Sequence, residues 1–140
     1  MLLLQSAPVA ASAETVIVAW GSNTSGQNAV PAGLTDAVAI AEGSGFCLAL
    51  RSEGTVVAWG SHWNGYRYVP WSVPAGLDKV VAIAAGYDFS AALKSDGTVF
   101  AWGDNGLGET NVPPHLRDVV GIAAGYGHSL ALRKNGTVVA

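Results

Sequence analysis

Short apolar runs alternate with glycine- and proline-containing polar segments along most of the chain. In the clearest example of this pattern, a run of branched and small residues at 81–85 ends at a glycine, and a second run begins at Phe89. Asp96-Gly97, a dipeptide typical of tight β-hairpins, then leads into a third run that ends at Trp102. The following polar stretch closes in Val112-Pro113. This order predicts three good strands and a weak outer one, because proline cannot donate to a central ladder.

The same order of elements occurs three times, which indicates a repeat protein. The Trp-Gly pairs begin at Trp20, Trp59 and Trp102, with spacings of 39 and 43 residues. Gly-Thr pairs and the first apolar runs share these spacings; they begin at Gly54, Gly97 and Gly136, and at Val38, Val81 and Val120. The unit therefore has 39 residues, and the middle copy carries four extra residues between Trp59 and Val81.

The predicted sheets are apolar on both faces. Successive side chains in Val56-Val57-Ala58-Trp59 point to opposite faces, and all four are apolar. Such a sheet has to be covered on both sides, as it is when neighbouring sheets stack face to face around an axis. We therefore predict an all-β protein built from β-propeller blades of four antiparallel strands. A solenoid of stacked hairpins is the competing arrangement.

The repeated unit resembles a known family. Its pattern Val-Val-Ala-Ile-Ala-Ala-Gly-Tyr, followed by Ser-x-Ala-Leu and by Gly-Thr-Val-x-Ala-Trp-Gly, is similar to the repeat of the regulator of chromosome condensation family, in the compact form found in bacterial proteins. The resemblance covers residues 15–140 and implies a propeller. Where the family tends to have histidine, only His128 matches, whereas the other copies have Phe46 and Phe89.

The chain contains about three repeats, which is fewer than the number of blades in a complete propeller. Within a repeat region 15–140, we place the units at about 16–54, 55–97 and 98–136, with the start of a fourth at 137–140. Propellers close with about four to eight blades. We therefore expect a partial propeller, which is either a fragment of a longer open reading frame or a chain that self-associates to complete a ring.

Residues 1–14 differ from the repeats. Their apolar part ends in Ala11-Ser12-Ala13, a pattern of the kind read by signal peptidase, ahead of Glu14. We interpret this segment as a signal-peptide remnant or a disordered tail. The first interpretation predicts a secreted, periplasmic or cell-surface protein, and the second a cytoplasmic one. Membrane insertion is not expected, because no apolar stretch reaches the roughly 18 residues that a spanning helix needs.

The charge of the sequence and its potentially reactive side chains limit the classes of function that we expect. The formal net charge is −3 and the seven Lys and Arg residues are scattered, so we expect no nucleic-acid partner. The lone Cys47 offers no zinc spacing, and we expect no metal and no cofactor. His128 and Ser129 are adjacent, so on a strand they point to opposite faces and cannot work as base and nucleophile. Gly103–Glu109 is interpreted as a polar turn, since its counterparts lack the acidic residues. We predict no enzyme activity.

The insertion in the middle copy is the feature that the repeat does not explain. Residues 61–71 contain four aromatic side chains and an arginine: Trp63, Tyr66, Arg67, Tyr68 and Trp71. Aromatic residues and arginine in a polar loop are typical of an interaction hot spot. We predict that these residues bind a partner at the outer edge or rim of the propeller. In the alternative interpretation, Trp63 and Trp71 fold back and bury themselves against the blades.

Together these observations predict a non-enzymatic propeller module that presents loops to a protein or glycan partner. The alternative, implied by the family resemblance, is guanine nucleotide exchange on a small GTPase together with chromatin binding. Chromatin binding needs a basic surface or tail, and the sequence has neither.

Overall fold

The computed structural model describes residues 14–140, which form three antiparallel β-sheets. The first sheet contains β1 (Ala37–Glu42), β2 (Phe46–Arg51), β3 (Val56–Trp63) and β4 (Tyr68–Pro70). The second contains β5 (Val80–Ala85), β6 (Phe89–Lys94) and β7 (Val99–Gly103), and the third contains β8 (Val119–Ala124), β9 (Ser129–Arg133) and β10 (Val138–Val139). Strands that follow each other in the chain are neighbours in each sheet. The all-β prediction is confirmed.

Two further predictions concern the signal segment and membrane insertion. The proposed signal segment lies outside the described residues except for Glu14, so its nature stays a prediction. Among residues 14–140, no helix is long and apolar enough to cross a membrane.

Four strands form in the first sheet only, which corrects the prediction of a fourth strand in every blade. Val73-Pro74 and Val112-Pro113 lie outside the strands. The polar stretch that contains the latter folds on itself, because Thr110 donates its backbone N–H to the Asn105 Oδ1 atom at 3.0 Å. In the first sheet, the four-residue insertion instead lets the chain turn back and pair as β4 with the end of β3.

The three sheets stack face to face, and the core lies between them. Leu50 of β2 packs with Val80 and Ala92 of the second sheet. One repeat later, Leu93 packs in the same way against Val119 and Ala131 of the third sheet. The repeat therefore extends from sequence to packing: each sheet covers the apolar face that the preceding sheet presents.

An aromatic or imidazole ring in each repeat packs on a glycine three positions earlier. A Cβ atom at these glycines would overlap the ring, which explains why glycine occurs there. The pairs are Phe46 on Gly43, Phe89 on Gly86 and His128 on Gly125. His128 thus takes the packing position that phenylalanine has in the other two repeats.

Residues 15–21 end in Trp20-Gly21 and correspond to the third strand of a repeat, so the sequence predicts a strand here. The structure forms none, which is a second correction. Thr15 donates its backbone N–H to the Thr35 carbonyl oxygen at 2.8 Å, and Ile17 packs against the core of the first sheet. Trp20 is 84% exposed, although its counterpart Trp59 is only 8% exposed. The reason is the missing ladder: β3 pairs with β2, and no counterpart of β2 precedes residues 15–21 within the described part of the chain.

Candidate functional site

The insertion folds into a β-hairpin made by the end of β3 and by β4. Cα partners across it include Ser61 with Pro70 and Trp63 with Tyr68. The Asn64 Oδ1 atom closes the turn by accepting the backbone N–H groups of Tyr66 and Arg67 at 3.1 and 3.0 Å. Gly65, at a φ of +94°, provides the left-handed residue that this turn requires. The Asn64 backbone N–H donates to the Arg67 carbonyl oxygen at 3.2 Å, so Gly65 and Tyr66 are the two central residues of the turn. Glycine at the first central position is a hairpin signal that the sequence contains.

The hairpin presents four of the five predicted site residues to solvent. Trp63 and Tyr68 are 53% and 56% exposed, and their rings pack edge to face with centroids 5.3 Å apart. Tyr66 at the turn is 90% exposed, and Arg67 beside it is also exposed. We call Trp63, Tyr66, Arg67 and Tyr68 the hairpin tip. Its cross-strand aromatic pair holds two large side chains in place without burying them.

Trp71, the fifth predicted residue, does not belong to this surface. It is 6% exposed and stacks on Phe46, with ring centroids 3.9 Å apart and planes 13° apart. Its Nε1–H group donates to the Ser90 Oγ atom of the second sheet at 3.1 Å. Trp71 therefore fixes the base of the hairpin between the first two sheets. The alternative interpretation, in which both tryptophans bury themselves against the blades, therefore fits Trp71 but not Trp63.

The charges divide between the two ends of the sheets. The hairpin end, which also carries the turns after β1, β5 and β8, has one basic residue, Arg67. The other six of the seven Lys and Arg residues lie at the opposite end: Arg51, Lys79, Lys94, Arg117, Arg133 and Lys134. Four carboxylates occupy the hairpin end, namely Glu42, Asp88, Asp104 and Glu109. The net negative charge of the protein is therefore concentrated at this end.

A pair of tyrosines at the hairpin end was not recognised as a site from the sequence. Tyr87 and Tyr126 occupy the same position in consecutive repeats, and their rings are in contact, with centroids 4.5 Å apart and planes tilted by 33°. They are 47% and 70% exposed. The Gly-Tyr pair is part of the repeat pattern, but the pattern does not indicate that side chains from successive repeats meet.

Two potentially nucleophilic side chains, Cys47 and Ser129, are held in specific environments. Burial, followed by the charge of Glu42, raises the pKa of the Cys47 thiol to about 11, which keeps it protonated at neutral pH. Ser129 donates its hydroxyl to the Glu109 backbone oxygen at 2.8 Å rather than to a base. Within residues 14–140, no three His, Cys, Asp or Glu side chains are grouped so that they could hold a metal ion.

One cavity, of about 240 Å³, lies between the second and third sheets, and Val139 and Ala140 form part of its wall. In the two preceding repeats, the residue after the counterpart of Ala140 is Trp59 or Trp102. The indole N–H groups of those tryptophans donate to backbone oxygens of the polar segments, at 2.8 and 3.1 Å. The cavity is lined by residues through which the second and third sheets pack together, and we do not assign it to a ligand.

Comparison with known proteins agrees with this architecture. A family model described as the regulator of chromosome condensation (RCC1) repeat matches residues 80–109 and 119–140. The second and third sheets therefore contain RCC1-type repeats. No curated protein matches it significantly. The compact bacterial form of the RCC1 repeat stays a prediction.

Solved structures support the same RCC1-type fold. Prp20p from Saccharomyces cerevisiae has a TM-score of 0.70 and 24% identity over 86% of this chain. The ectodomain of the Physcomitrella patens receptor kinase CR4 has a TM-score of 0.68 and 24% identity, also over 86% of this chain. The C-terminal domain of gp131 from bacteriophage phiKZ reaches 0.59 at 14% identity over 74% of it. This chain spans only 38%, 34% and 35% of those chains, respectively.

Proposed function

We propose that this chain is a non-enzymatic RCC1-repeat module that binds a protein partner through its hairpin tip. One observation carries the proposal: a hairpin that the repeat does not need exposes three aromatic residues and Arg67, while Trp71 fixes its base in the core. Tyrosine and tryptophan provide large contact areas at a low cost in conformational entropy. Preorganisation by the turn and by the Trp63–Tyr68 pair lowers that cost further.

Two observations support a protein partner rather than a glycan or nucleic acid. The structures of Prp20p concern its binding to Gsp1p and histones and its complex with Kap60, all of which are proteins. The hairpin end carries four carboxylates and a single basic residue, which opposes a phosphate backbone. Nucleotide exchange on a small GTPase, which the resemblance to the RCC1 family implies, is the second candidate.

The test begins with a photo-crosslinking amino acid at position 66 of the full chain, expressed in the source organism. Proteins that crosslink there are identified, purified and titrated calorimetrically with the unlabelled chain. We expect Trp63→Ala and Tyr66→Ala each to cost about 2 kcal/mol of binding free energy, which is about a 30-fold increase in Kd. Their free energies of unfolding should remain close to that of the wild type, since both side chains are exposed.

A charge-matched pair of variants provides the control. Arg67→Ala and Lys134→Ala each remove one exposed positive charge, but at opposite ends of the sheets. Only Arg67→Ala should weaken the complex. Unchanged affinity in all hairpin-tip variants would contradict the proposal, and accelerated release of a fluorescent nucleotide from a small GTPase would favour the exchange-factor candidate.

A further inference from the structure

The turns after β1, β5 and β8 form a ladder in which each repeat contributes one step. Ser44 donates its backbone N–H to the Tyr87 carbonyl oxygen at 2.9 Å, and Tyr87 donates its own to the Tyr126 carbonyl oxygen at 3.4 Å. The three residues occupy equivalent positions, one in each repeat. The backbone thus places the three side chains in a row at the hairpin end.

Two of the three positions in this row, 87 and 126, carry aromatic rings, and the third carries Ser44. The Tyr126 ring packs against one side of the Tyr87 ring, with the ring planes tilted by 33°. By the same step along the ladder, a ring at position 44 would stack on the other side of Tyr87, but Ser44 is too small to do so. Tyr87 consequently remains 47% exposed. We call the space above Ser44, beside the Tyr87 ring, the Ser44 slot.

A carboxylate is held beside this slot. The Asp88 Oδ1 atom accepts a hydrogen bond from the Ser44 Oγ atom at 2.8 Å. Within residues 14–140, this carboxylate has no other hydrogen bond and no ion pair, so Oδ2 is available to a ligand. The three other carboxylates of the hairpin end add to the negative potential around the slot.

We infer that the Ser44 slot binds an arginine side chain of a protein partner. The guanidinium group stacks on the Tyr87 ring in place of a third aromatic side chain and pairs with Asp88 Oδ2. A planar, weakly hydrated cation suits a ring face and a carboxylate better than the compact, strongly hydrated ammonium group of lysine. The inference rests on the proposed function only in taking the partner to be a protein, because it does not involve the hairpin tip.

The probe is the blocked peptide acetyl-Gly-Gly-Arg-Gly-Gly-amide, titrated into the ¹⁵N-labelled full chain and followed by NMR. Matched peptides carry lysine or citrulline, which has the shape of arginine without its charge. We expect the arginine peptide to bind in the millimolar range and to shift the amide signals of Ser44, Tyr87 and Asp88 most. The lysine peptide should bind about fivefold more weakly, and the citrulline peptide should not bind.

Two variants test the slot by different means. Ser44→Tyr fills it with a third ring, and Asp88→Asn removes the charge while keeping an acceptor for Ser44. Each should weaken binding of the arginine peptide at least tenfold. Glu53→Gln, a matched change of an exposed carboxylate at the opposite end, should leave the affinity within twofold. Melting curves show whether each variant is folded.

The inference is overturned if the wild type shows no shifts with the arginine peptide, if citrulline binds equally well, or if a folded Ser44→Tyr or Asp88→Asn variant keeps wild-type affinity. These results are independent of the hairpin-tip variants. Failure of the slot and failure of the proposed function can therefore be told apart.

Discussion

Replacing Trp71 by alanine tests the claim that this residue is a structural anchor rather than a partner contact. The side chain is 6% exposed, stacks on Phe46 and donates to the Ser90 hydroxyl, which is itself fully buried. Its removal leaves a cavity between the first two sheets and takes away the partner of a buried polar group. We therefore expect a large loss in the free energy of unfolding.

The magnitude follows from the buried area. A buried tryptophan removes roughly 150–250 Å² from water, which at about 25 cal/mol per Å² corresponds to about 4–6 kcal/mol. Measured Trp→Ala costs in protein cores are about 3–5 kcal/mol. An unpaired Ser90 hydroxyl adds about 1–3 kcal/mol when it stays dry, and less when water enters the cavity. We expect a loss of about 4 kcal/mol, which is a large part of the total stability of a small domain.

Urea denaturation followed by circular dichroism measures this loss. Trp63→Ala is the matched control, because it removes the same side chain from the same hairpin at a site that is 53% exposed. It should cost less than about 1 kcal/mol. Trp71→Phe keeps a ring on Phe46 but loses the hydrogen bond, and should lie between the two. If Trp71→Ala and Trp63→Ala differ by less than about 1 kcal/mol, the assignment of Trp71 to the core is wrong.

Three further measurements test the packing. Gly60→Ala should cost at least about 3 kcal/mol of unfolding free energy, because a Cβ atom would overlap the backbone of the turn after β1. The control is Gly33→Ala, which is also at positive φ but has open space around it, and it should cost about 1–2 kcal/mol. With a pKa raised to about 11 by burial and by Glu42, the Cys47 thiol should react with an aromatic disulfide at pH 8 at least about tenfold more slowly in the native protein than in urea. The 140-residue chain should self-associate, as measured by light scattering. Leu132→Asp should reduce this self-association, because Leu132 is 43% exposed whereas its counterparts in the other repeats are buried. A stable wild-type monomer would contradict the expectation.

The repeat made the fold predictable from the sequence. Three concordant landmarks located the strands of the three sheets, the Asp96-Gly97 signal placed a turn correctly, and Trp102-Gly103 marked the end of β7. The outer strand was predicted less well. Proline at Val112-Pro113 indicated an edge strand, but the side chain of Asn105 closes the polar segment into a turn before it can pair. Such a local hydrogen bond competes with a ladder and leaves no periodic signal in the sequence.

The candidate site was predicted as a set of residues but not as a surface. Trp63 and Trp71 are of the same type and lie eight positions apart in one insertion. Pairing of Trp63 with Tyr68 carries the former out into solvent, whereas Trp71 follows the end of β4 and turns back onto Phe46. The register of the hairpin therefore decides which tryptophan is exposed. Composition alone does not contain that register.

The two surfaces proposed to bind a partner arise where the first repeats depart from the common pattern. A residue that recurs in every copy is explained by the packing that recurs with it, as the glycines under Phe46 and Phe89 are. The insertion and Ser44 have no such explanation, and the structure brings them together. Ser61, at the base of the hairpin, donates its backbone N–H to the Gly45 carbonyl oxygen at 2.9 Å, directly beside Ser44. A partner segment whose arginine occupies the Ser44 slot would therefore extend past the hairpin tip. Two weak contacts on one rigid scaffold reinforce each other, because the second contact is made without a new loss of translational freedom.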